Sequence, residues 1–455
     1  MRHLLLATLG ARAASTTAIG HWPALRAAAG PAAPRLFDAT ERLFGAAQPA
    51  LIFWRDSAGW CPFCCMTWLL LEEMRVPYRV HTVPLRRYML DGEQKDPEYI
   101  RQVGPNGVVP GVQFWDPEAG AFEDAVQSVE HIFDELAQRY PEAYPRGDAA
   151  TCAQACDGQA SIFGRMRVAR RAYEACAGAD GIDPLAKGLA CALEDLDAML
   201  ARSGGPYLAG ARPSVADLML LPFLERTEAV VPYFFGKGAL EALPFARAAT
   251  MLEVARSQQH AFQELCSDAT TLGRTNLRYA AAGATPRYGV PLLSVDEAAA
   301  TAIDGTATAT RDEWAATAGA DARRDAAARL AATPVRIAAF ARRCAEQPPP
   351  QAGPDALAEA LDDALHATAS LLLVDDEERG QGMLSGRVDV AAEALELQHG
   401  AEATSDAAAA LEALSLNVGV PRDMSTPSAR ALRSHLRLLA AALRGVASDR
   451  PGPRY

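Results

Sequence analysis

The stretch Trp60-Cys61-Pro62-Phe63-Cys64 decides the fold of this chain, because it lies where a short apolar strand meets a helix. Upstream, the apolar run of residues 51–54 predicts a buried strand at about 50–55, and a polar loop continues to Gly59. Downstream, apolar residues recur at helical spacing from Pro62 to about residue 75. Proline suits the first position of a helix, since its missing N–H would have no partner there.

Cys61 therefore precedes the first turn of a helix, beside free backbone N–H groups and the positive end of the helix dipole. Such a setting stabilises a thiolate, so we predict that Cys61 is a nucleophile rather than a buried structural thiol. Cys64 lies one helical turn further on and is a candidate resolving thiol. Cys65 points about 100° away from Cys64 around the helix and is expected to be a small core residue.

A second signal is Val109-Pro110, which follows Cys61 by 49 residues (110 minus 61). A proline in a valine-rich strand removes a donor from the ladder, so it belongs at an edge or in a special geometry. We expect the Val109–Pro110 peptide bond to be cis. The backbone of Val109 would then face an extended peptide ligand at an exposed sheet edge.

Residues 48–145 alternate strand and helix patterns, which predicts an α/β domain of order β-α-β-α-β-β-α and a thioredoxin-like layout. After the first strand and helix, we expect the following elements: a strand at 78–83, a short helix at 97–102, a turn at 104–107, a strand around 108–114, its hairpin partner near 121–123 and a helix at 127–140.

Long alanine- and leucine-rich helical patterns dominate the rest of the chain. Residues 150–270 predict an all-α domain, in which Ser214 to Asp217 forms a helix-capping box. Residues 285–455 predict a helical extension of unknown role, with helices near 320–345, 355–373, 387–414 and 427–446.

Composition excludes several function classes. The 455 residues carry a formal charge of −12 (44 basic minus 56 acidic residues), which argues against nucleic-acid binding. The nine cysteines are not spaced as a disulfide framework, so a reducing compartment fits best. The eight histidines show no metal-ligand spacing with them, and we expect no metal site. No apolar stretch is long enough to span a membrane.

The first 37 residues differ from the rest, because four arginines occur before the first acidic residue, Asp38. An arginine-rich, hydroxylated and acid-free segment is typical of an organellar transit peptide. The alternative is a disordered tail, in which case we expect a cytoplasmic protein. These residues alone do not distinguish a plastid from a mitochondrion.

Taken together, the motifs resemble glutathione transferases of the cysteine type, in particular the omega, lambda and dehydroascorbate-reductase groups. The resemblance covers roughly residues 48–270 and both domains in order. Its motifs are Cys61-Pro62-Phe63-Cys64, residues 70–78, Gly104 to Pro110, Gln127-Ser128, Gly205 to Gly210, Ser214 to Asp217 and Pro222 to Arg226. Val420 to Met424 also resembles C-terminal extensions of some algal and plant transferase-like proteins.

The resemblance implies glutathione as co-substrate, an organellar location with a plastid favoured, and possible pairing as a homodimer. Cys61 would form the mixed disulfide with glutathione, with Phe63 flanking it. Val109, before Pro110, would pair with the cysteinyl backbone of glutathione.

The γ-glutamyl group of glutathione would be held by Gln127 and Ser128. The family usually has Glu-Ser there, so Gln127 lacks the charge that would pair with the γ-glutamyl ammonium. A register shifted onto Glu123-Asp124 would restore an acid but leave no serine. Lys95, one residue off the usual position, is a candidate contact for the glycyl carboxylate.

The predicted function is glutathione-dependent thiol transfer or reduction, in which Cys61 acts on small disulfides, glutathionyl adducts or dehydroascorbate. Two alternatives remain. One is a non-catalytic glutathione-binding or interaction protein that uses its C-terminal helices for partners. The other is a glutathione-independent dithiol oxidoreductase that relies on Cys61 and Cys64 alone.

Overall fold

The computed structural model describes residues 22–84, 97–103, 107–173, 179–235, 240–273, 319–345, 352–376, 379 and 383–448. The chain divides into two compact units. We call Pro34–Ala307 with Val420–Arg422 the sheet unit, and Met1–Ala33, Thr308–Gly419 and Asp423–Tyr455 the helical unit. Lys95 and the predicted turn residues 104–106 lie outside the described residues.

The sheet unit contains a mixed sheet whose strand order is β1-β3-β2-β4-β5, with β6 also pairing with β4. Strands β2 and β3 are parallel, and the other pairs are antiparallel. The strands are β1 Glu41–Arg42, β2 Leu51–Asp56, β3 Tyr78–Val83, β4 Gly111–Asp116, β5 Ala121–Phe122 and β6 Val126–Gln127.

The helices of the sheet unit follow the predicted order. Pro62–Met74 connects β2 to β3, Pro97–Val103 precedes β4, and Val129–Arg139 follows β6. The thioredoxin-like α/β domain is thereby confirmed. The all-α part comprises the helices Ala149–Cys156, Ile162–Tyr173, Ala179–Ser203, Val215–Phe235, Ala246–Gln258 and His260–Leu265.

Two predicted boundaries in the sheet unit are wrong. We expected a polar loop after about residue 55, but β2 continues to Asp56, and both Arg55 and Asp56 are buried. We also expected the last helix of the α/β domain to begin at Gln127. Gln127 instead pairs with Gly111 in the sheet, and the helix begins at Val129.

The capping box predicted at Ser214 to Asp217 is present in a modified form. The Asp217 carboxylate accepts hydrogen bonds from the Ser214 backbone N–H at 2.8 Å and from the Ser214 hydroxyl at 2.7 Å. It also accepts one from the Leu208 N–H at 2.8 Å. The buried acid therefore joins the preceding loop to the start of the helix Val215–Phe235.

The helical unit consists of long helices, as predicted for the extension. Its described helices in the C-terminal half are Ala320–Ala332, Pro334–Cys344, Pro354–Leu372, Met383–His399, Ala401–Asn417 and Thr426–Ser448. Buried alanine and leucine residues form their contacting faces. Among the described residues, no helix combines the length and the apolarity needed to cross a membrane.

The described part of the N-terminal segment is folded, which contradicts the alternative expectation of a disordered tail to residue 37. Trp22–Ala29 is a helix of the helical unit, and the Trp22 indole N–H lies 3.2 Å from both oxygens of the Asp362 carboxylate. Arg26 donates a hydrogen bond to the Ala331 carbonyl at 2.7 Å. Burial of an indole and two apolar neighbours supplies the free energy that a disordered tail lacks.

Candidate active site

The Cys61 thiol lies at the N-terminus of the helix Pro62–Met74, as the sequence predicts. Cys61 is the N-cap residue in an extended conformation, and its sulfur accepts a hydrogen bond from the Cys64 backbone N–H at 3.4 Å. Pro62 occupies the first helical turn, where it costs no hydrogen bond. Cys61 is only partly buried, which is compatible with attack on an external disulfide.

Val109 and Pro110 lie beside the same sulfur. The Val109–Pro110 peptide bond is cis, as predicted, and the Val109 carbonyl oxygen is 3.9 Å from the Cys61 sulfur. No described residue accepts a hydrogen bond from the Val109 N–H. Before it, the Val108 side chain is more than half exposed, and the Tyr99 hydroxyl donates to the Val108 carbonyl. This short segment therefore offers backbone hydrogen-bonding groups beside the thiol.

Gln127 and Ser128 lie at the end of β6, on the strand that pairs with β4 just after Pro110. The Gln127 amide nitrogen is buried and has no hydrogen-bond acceptor among the described residues. Ser128 caps the helix Val129–Arg139, and its hydroxyl accepts from the His131 N–H at 3.3 Å. Its φ of 63° is a strained value for a residue other than glycine. Strained backbone of this kind clusters at functional sites.

Cys64 is the second thiol of the motif and is buried inside the helix. Burial, followed by the hydrogen bond and the charge interaction with Cys61, raises the pKa of the Cys64 thiol well above its usual value. A thiol in that state does not act as the first nucleophile. Cys65 is also buried, as predicted, and burial raises its pKa well above the usual value.

Phe63 connects the motif to the all-α part of the sheet unit. Its ring makes an edge-to-face contact with Phe223 at 5.8 Å between centroids, and Phe223 contacts Phe163 in the same manner at 5.1 Å. Phe63 stays half-buried. The structure brings Cys61 and Val109 together, and the role of Phe63 beside glutathione stays a prediction.

Asp56, at the end of β2, is a site residue that the sequence analysis missed. It is fully buried, and one carboxylate oxygen accepts a hydrogen bond from the Trp60 N–H at 2.7 Å. The other oxygen has no hydrogen-bond partner among the described residues. A carboxylate oxygen of Asp56 and the sulfurs of Cys61 and Cys64 lie within 4.8 Å of one another. The available signal was an acid five positions before Cys61 (61 minus 56), at the end of an apolar run.

Three residues from the C-terminal part of the chain complete the surroundings of this site within the sheet unit. The Val420 carbonyl accepts hydrogen bonds from the Trp60 indole at 3.1 Å and from the Ser267 hydroxyl at 2.6 Å. Arg35 donates to the Pro421 carbonyl at 2.7 Å, and the Arg422 guanidinium lies 5.0 Å from the centre of a Trp60 ring. The residue before Cys61 is therefore fixed by Val420–Arg422, a segment to which the sequence assigned no role in the site.

Family comparisons agree with this geometry. Residues 60–126 match the family model described as the N-terminal domain of glutathione S-transferase. Residues 179–249 match the one described as its C-terminal domain. The first match begins at Trp60 and includes both Cys61 and Val109, and the second lies within the all-α part of the sheet unit.

Curated proteins similar to this chain include two from Arabidopsis thaliana. "Glutathione S-transferase DHAR3, chloroplastic" is 25% identical over 196 residues, which are 42% of this chain and 65% of that protein. "Glutathione S-transferase DHAR2" is 26% identical over 192 residues, which are 42% of this chain and 78% of that protein. The chain thus spans just under two thirds of the first relative.

Among solved structures, the chain is similar to glutathione transferase Omega 1C from Trametes versicolor. The two are 20% identical with a TM-score of 0.40, over 51% of this chain and 97% of that one. Both family-model matches lie within the sheet unit.

Proposed function

We propose that this chain, whose residues 60–126 and 179–249 match the family models of the N-terminal and C-terminal domains of glutathione S-transferase, is a glutathione-dependent thiol transferase or reductase with Cys61 as its nucleophile. The observation that supports this most strongly is the position of the Cys61 sulfur. It accepts a hydrogen bond at a helix N-terminus and lies 3.9 Å from the Val109 carbonyl. A partly exposed thiol in such a position is typical of a reactive cysteine.

The proposed reaction is thiol–disulfide exchange. The Cys61 thiolate attacks one sulfur of an oxidised acceptor and forms a mixed disulfide, while the other sulfur leaves as a thiolate. Glutathione bound beside Cys61 then completes the reduction by attacking the mixed disulfide and releasing the Cys61 thiolate. Because cysteine forms a covalent disulfide with glutathione, we expect only weak conjugation of electrophiles.

The residues beside Cys61 fit glutathione in chemistry as well as in position. The Val109 N–H, which has no partner in the described part of the chain, can donate to the cysteinyl carbonyl of glutathione. The buried Gln127 amide nitrogen can donate a hydrogen bond to the γ-glutamyl carboxylate of glutathione. Ser128, at a helix N-terminus, adds a setting that favours an anion. Lys95 stays a predicted contact for the glycyl carboxylate.

The proposed acceptors are small disulfides, glutathionyl adducts and dehydroascorbate. Relatives named DHAR favour dehydroascorbate among them. The relative DHAR3 is named chloroplastic, which supports a plastid as the location of this protein. Assembly as a homodimer is part of the same proposal, through the family resemblance.

A glutathione-independent dithiol oxidoreductase is the second candidate, and the closeness of the Cys61 and Cys64 sulfurs favours it. Such an enzyme would need a resolving thiol but no site for glutathione. The position of Gln127 and Ser128 next to the cis Val109–Pro110 segment favours the glutathione-dependent reaction, because a dithiol mechanism gives these residues no role.

Activity measurements on the full-length protein test the proposal. Glutathione-dependent reduction of a small mixed disulfide and of dehydroascorbate would be compared for wild type, Cys61→Ser, Cys64→Ser and Cys191→Ser. Cys191 is exposed and serves as the matched control. We expect Cys61→Ser to lose at least about 1,000-fold in rate, since it removes the nucleophile, and Cys191→Ser to retain full activity.

The same assay separates the alternatives. Equal activity with a dithiol reductant and no dependence on glutathione would favour the dithiol oxidoreductase. A folded wild type that binds glutathione but reduces neither substrate would contradict the enzyme and favour a glutathione-binding interaction protein.

A further inference from the structure

We propose that Arg226 and the segment Val420–Arg422 position Cys61 by holding Trp60, the residue before it, from two sides. The inference rests on the proposed function, because it concerns the reactivity of the Cys61 sulfur. Arg226 and Val420 act through Trp60, so they are positioning residues rather than catalytic ones. Val420 lies 171 residues (420 minus 249) beyond the last residue that a family model matches.

The backbone of Trp60 determines where the Cys61 sulfur lies. Peptide units are planar, so the orientation of the Trp60 carbonyl also sets the direction in which the chain enters Cys61. The Arg226 guanidinium donates to that carbonyl at 2.6 Å, and the Trp60 N–H donates to the Asp56 carboxylate at 2.7 Å. A rotation at this point would move Cys61 out of the N-cap conformation in which its sulfur accepts the Cys64 N–H.

Arg226 transmits the position of a helix to Trp60. Its guanidinium is buried, and Nη1 donates to the Pro222 carbonyl at 2.7 Å while Nη2 donates to the Trp60 carbonyl. Nη1 also lies 3.4 Å from an oxygen of the Glu225 carboxylate. The nitrogens of a guanidinium form a rigid fork, which a lysine ammonium does not reproduce. The Trp60 carbonyl is therefore held at a fixed place relative to the helix Val215–Phe235.

Glu225 and Ser267 extend these contacts to the C-terminal part of the chain. The Glu225 carboxylate is buried and accepts the Ser267 backbone N–H at 2.5 Å. The Ser267 hydroxyl donates to the Val420 carbonyl at 2.6 Å. The Val420 N–H donates in turn to the Thr271 hydroxyl at 3.1 Å. Val420 is thus bound on both sides of its backbone within the sheet unit.

The Trp60 indole closes the ring of contacts, because its N–H donates to the same Val420 carbonyl at 3.1 Å. Trp60 is thereby held at its carbonyl by Arg226 and at its side chain by Val420. Buried polar networks in which every member has a partner favour one arrangement of the groups that they join. We call the set Trp60, Glu225, Arg226, Ser267 and Val420 the Trp60 network.

Close packing supports the Trp60 network at the loop before Cys61. Gly59 has a φ of 72°, and a Cβ there would lie 2.6 Å from the Phe37 ring and 3.0 Å from the Pro421 ring. Glycine therefore lets Pro421 approach the loop closely. The Arg422 guanidinium lies 5.0 Å from the centre of a Trp60 ring, and Trp60 is buried.

Stability alone does not account for a buried ion pair at this place. The desolvation of two charges cancels much of their attraction, so buried pairs add little to stability compared with apolar side chains of the same size. Their geometry is nevertheless specific. A misplacement of about 1 Å at a reacting group can cost about 100-fold in rate. The Trp60 network therefore contributes to the rate at which Cys61 attacks a disulfide.

Four single substitutions in the reduced protein test the inference. Trp60→Phe removes the indole N–H and keeps an aromatic ring, Arg226→Lys keeps the charge and loses the fork, and Ser267→Ala removes a second donor to Val420. Trp68→Phe is the matched control. The Trp68 indole is buried and donates to the Tyr78 hydroxyl at 2.6 Å, outside the Trp60 network.

Three quantities would be measured for each variant. The first is kcat and KM for glutathione-dependent reduction of a small mixed disulfide. The second is the rate at which iodoacetamide alkylates Cys61 at neutral pH, followed by mass analysis of the peptide that contains it. The third is urea unfolding, which shows whether each variant is folded.

We expect Trp60→Phe and Arg226→Lys each to lower kcat by about 10-fold and to slow alkylation of Cys61, with KM for glutathione changed by less than about twofold. An effect on kcat alone is expected, because the Trp60 network orients the sulfur and does not bind glutathione. Trp68→Phe should lose stability and keep kcat within about twofold of wild type.

A double variant tests whether Trp60 and Ser267 act together. Ser267→Ala should lower kcat by about threefold in wild type and have little further effect beside Trp60→Phe, because both act on the Val420 carbonyl. Effects that simply multiply would mean that the two residues act independently, which contradicts the Trp60 network.

Two other results would overturn the inference while leaving the proposed function intact. One is a folded Trp60→Phe protein whose kcat and alkylation rate stay within about twofold of wild type. The other is an equal loss of kcat in Trp68→Phe, which would show a general effect of removing a buried indole. If wild type reduces no disulfide, the proposed function fails, and the alkylation rates still test the inference. Should Arg226→Lys not fold, Trp60→Phe and Ser267→Ala carry the test.

Discussion

At the scale of single residues, Asp56 combines deep burial with incomplete hydrogen bonding. Its burial raises its pKa, because desolvation of the carboxylate outweighs the favourable interactions with Arg55 and the backbone N–H groups. A folded-state pKa above the unfolded value makes the folded state the stronger proton binder. The stabilisation from a protonated Asp56 is therefore fully present below the unfolded pKa and is lost as pH rises through the folded one.

The raised pKa of Asp56 predicts how the substitution Asp56→Asn changes the free energy of unfolding. Asp56→Asn should stabilise the sheet unit at neutral pH, by on the order of 1–3 kcal/mol, because it replaces a desolvated charge with a neutral amide. The gain should shrink as pH falls from the raised pKa of Asp56 toward about 4, where the aspartate is protonated in both states. Urea unfolding of reduced wild type and variant at several pH values measures it. A stability gain of Asp56→Asn that grows as pH falls would contradict a raised pKa of Asp56.

At the scale of elements, the helix Val129–Arg139 begins at a residue that the proposed function also uses. Ser128 caps this helix with its hydroxyl, and its φ of 63° carries strain. Strain of this kind costs on the order of 1–3 kcal/mol and persists only when the surroundings hold it. Here β6 holds the preceding residue against β4, so the serine is fixed in both position and orientation.

We therefore expect the substitution Ser128→Ala to have two effects. The loss of the cap should destabilise the protein by about 1 kcal/mol. The loss of a contact to the γ-glutamyl group should weaken glutathione binding by about tenfold, which corresponds to about 1.4 kcal/mol. Titration calorimetry with glutathione and urea unfolding measure the two effects.

The matched control is Ser161→Ala, because the Ser161 hydroxyl accepts a hydrogen bond from the Gly164 N–H at 3.0 Å at the start of another helix. We expect a similar loss of stability and no change in affinity for glutathione. If both variants bind glutathione as wild type does, Ser128 has only a structural role.

Most elements of the sheet unit followed from the sequence, and the exceptions have physical causes. The strand Tyr78–Val83 and the helix Pro62–Met74 show strong periodicity and clear end signals. The two-residue strand Val126–Gln127 is too short for any period, so its residues appeared to continue the helix. Arg55 and Asp56 appeared to form a loop, because burial of charged residues depends on partners that are distant in sequence.

The candidate site was also predictable only in part. Cys61, Phe63, Val109 and Pro110 are fixed by local motifs and by one spacing along the chain. The contact between Trp60 and Val420 joins residues 360 positions apart, and no local pattern encodes it. The complete burial of the Asp56 carboxyl group likewise arises only after the chain has folded.

At the scale of the whole molecule, residues 22–33 belong to the same compact unit as the C-terminal helices. The Trp22 ring contacts the His366 ring edge-to-face at 5.3 Å, and its indole N–H reaches Asp362. A transit peptide, if one is cleaved from this chain, is therefore expected to end before Trp22. Mass analysis of the N-terminus of the protein purified from its native source would test this, and a mature chain that begins after residue 29 would contradict it.

Trp22→Ala should destabilise the helical unit by about 3–5 kcal/mol, the usual cost of removing a buried tryptophan. Leu397→Ala in the same unit is the control, because Leu397 is 83% exposed and its loss should change stability by less than about 0.5 kcal/mol. Hydrogen exchange of helix amides in this unit would report the difference. Equal protection in both variants would mean that the N-terminal helix adds little to the unit.

The central claim is that Cys61 is the residue that exchanges disulfides with glutathione. Peptide mapping of the Cys64→Ser protein after brief treatment with oxidised glutathione tests it most directly, because this variant lacks the candidate resolving thiol. We predict one glutathione per chain, attached to Cys61, in preference to the exposed Cys191. An unmodified Cys61 in a folded protein whose exposed cysteine has reacted would contradict the account.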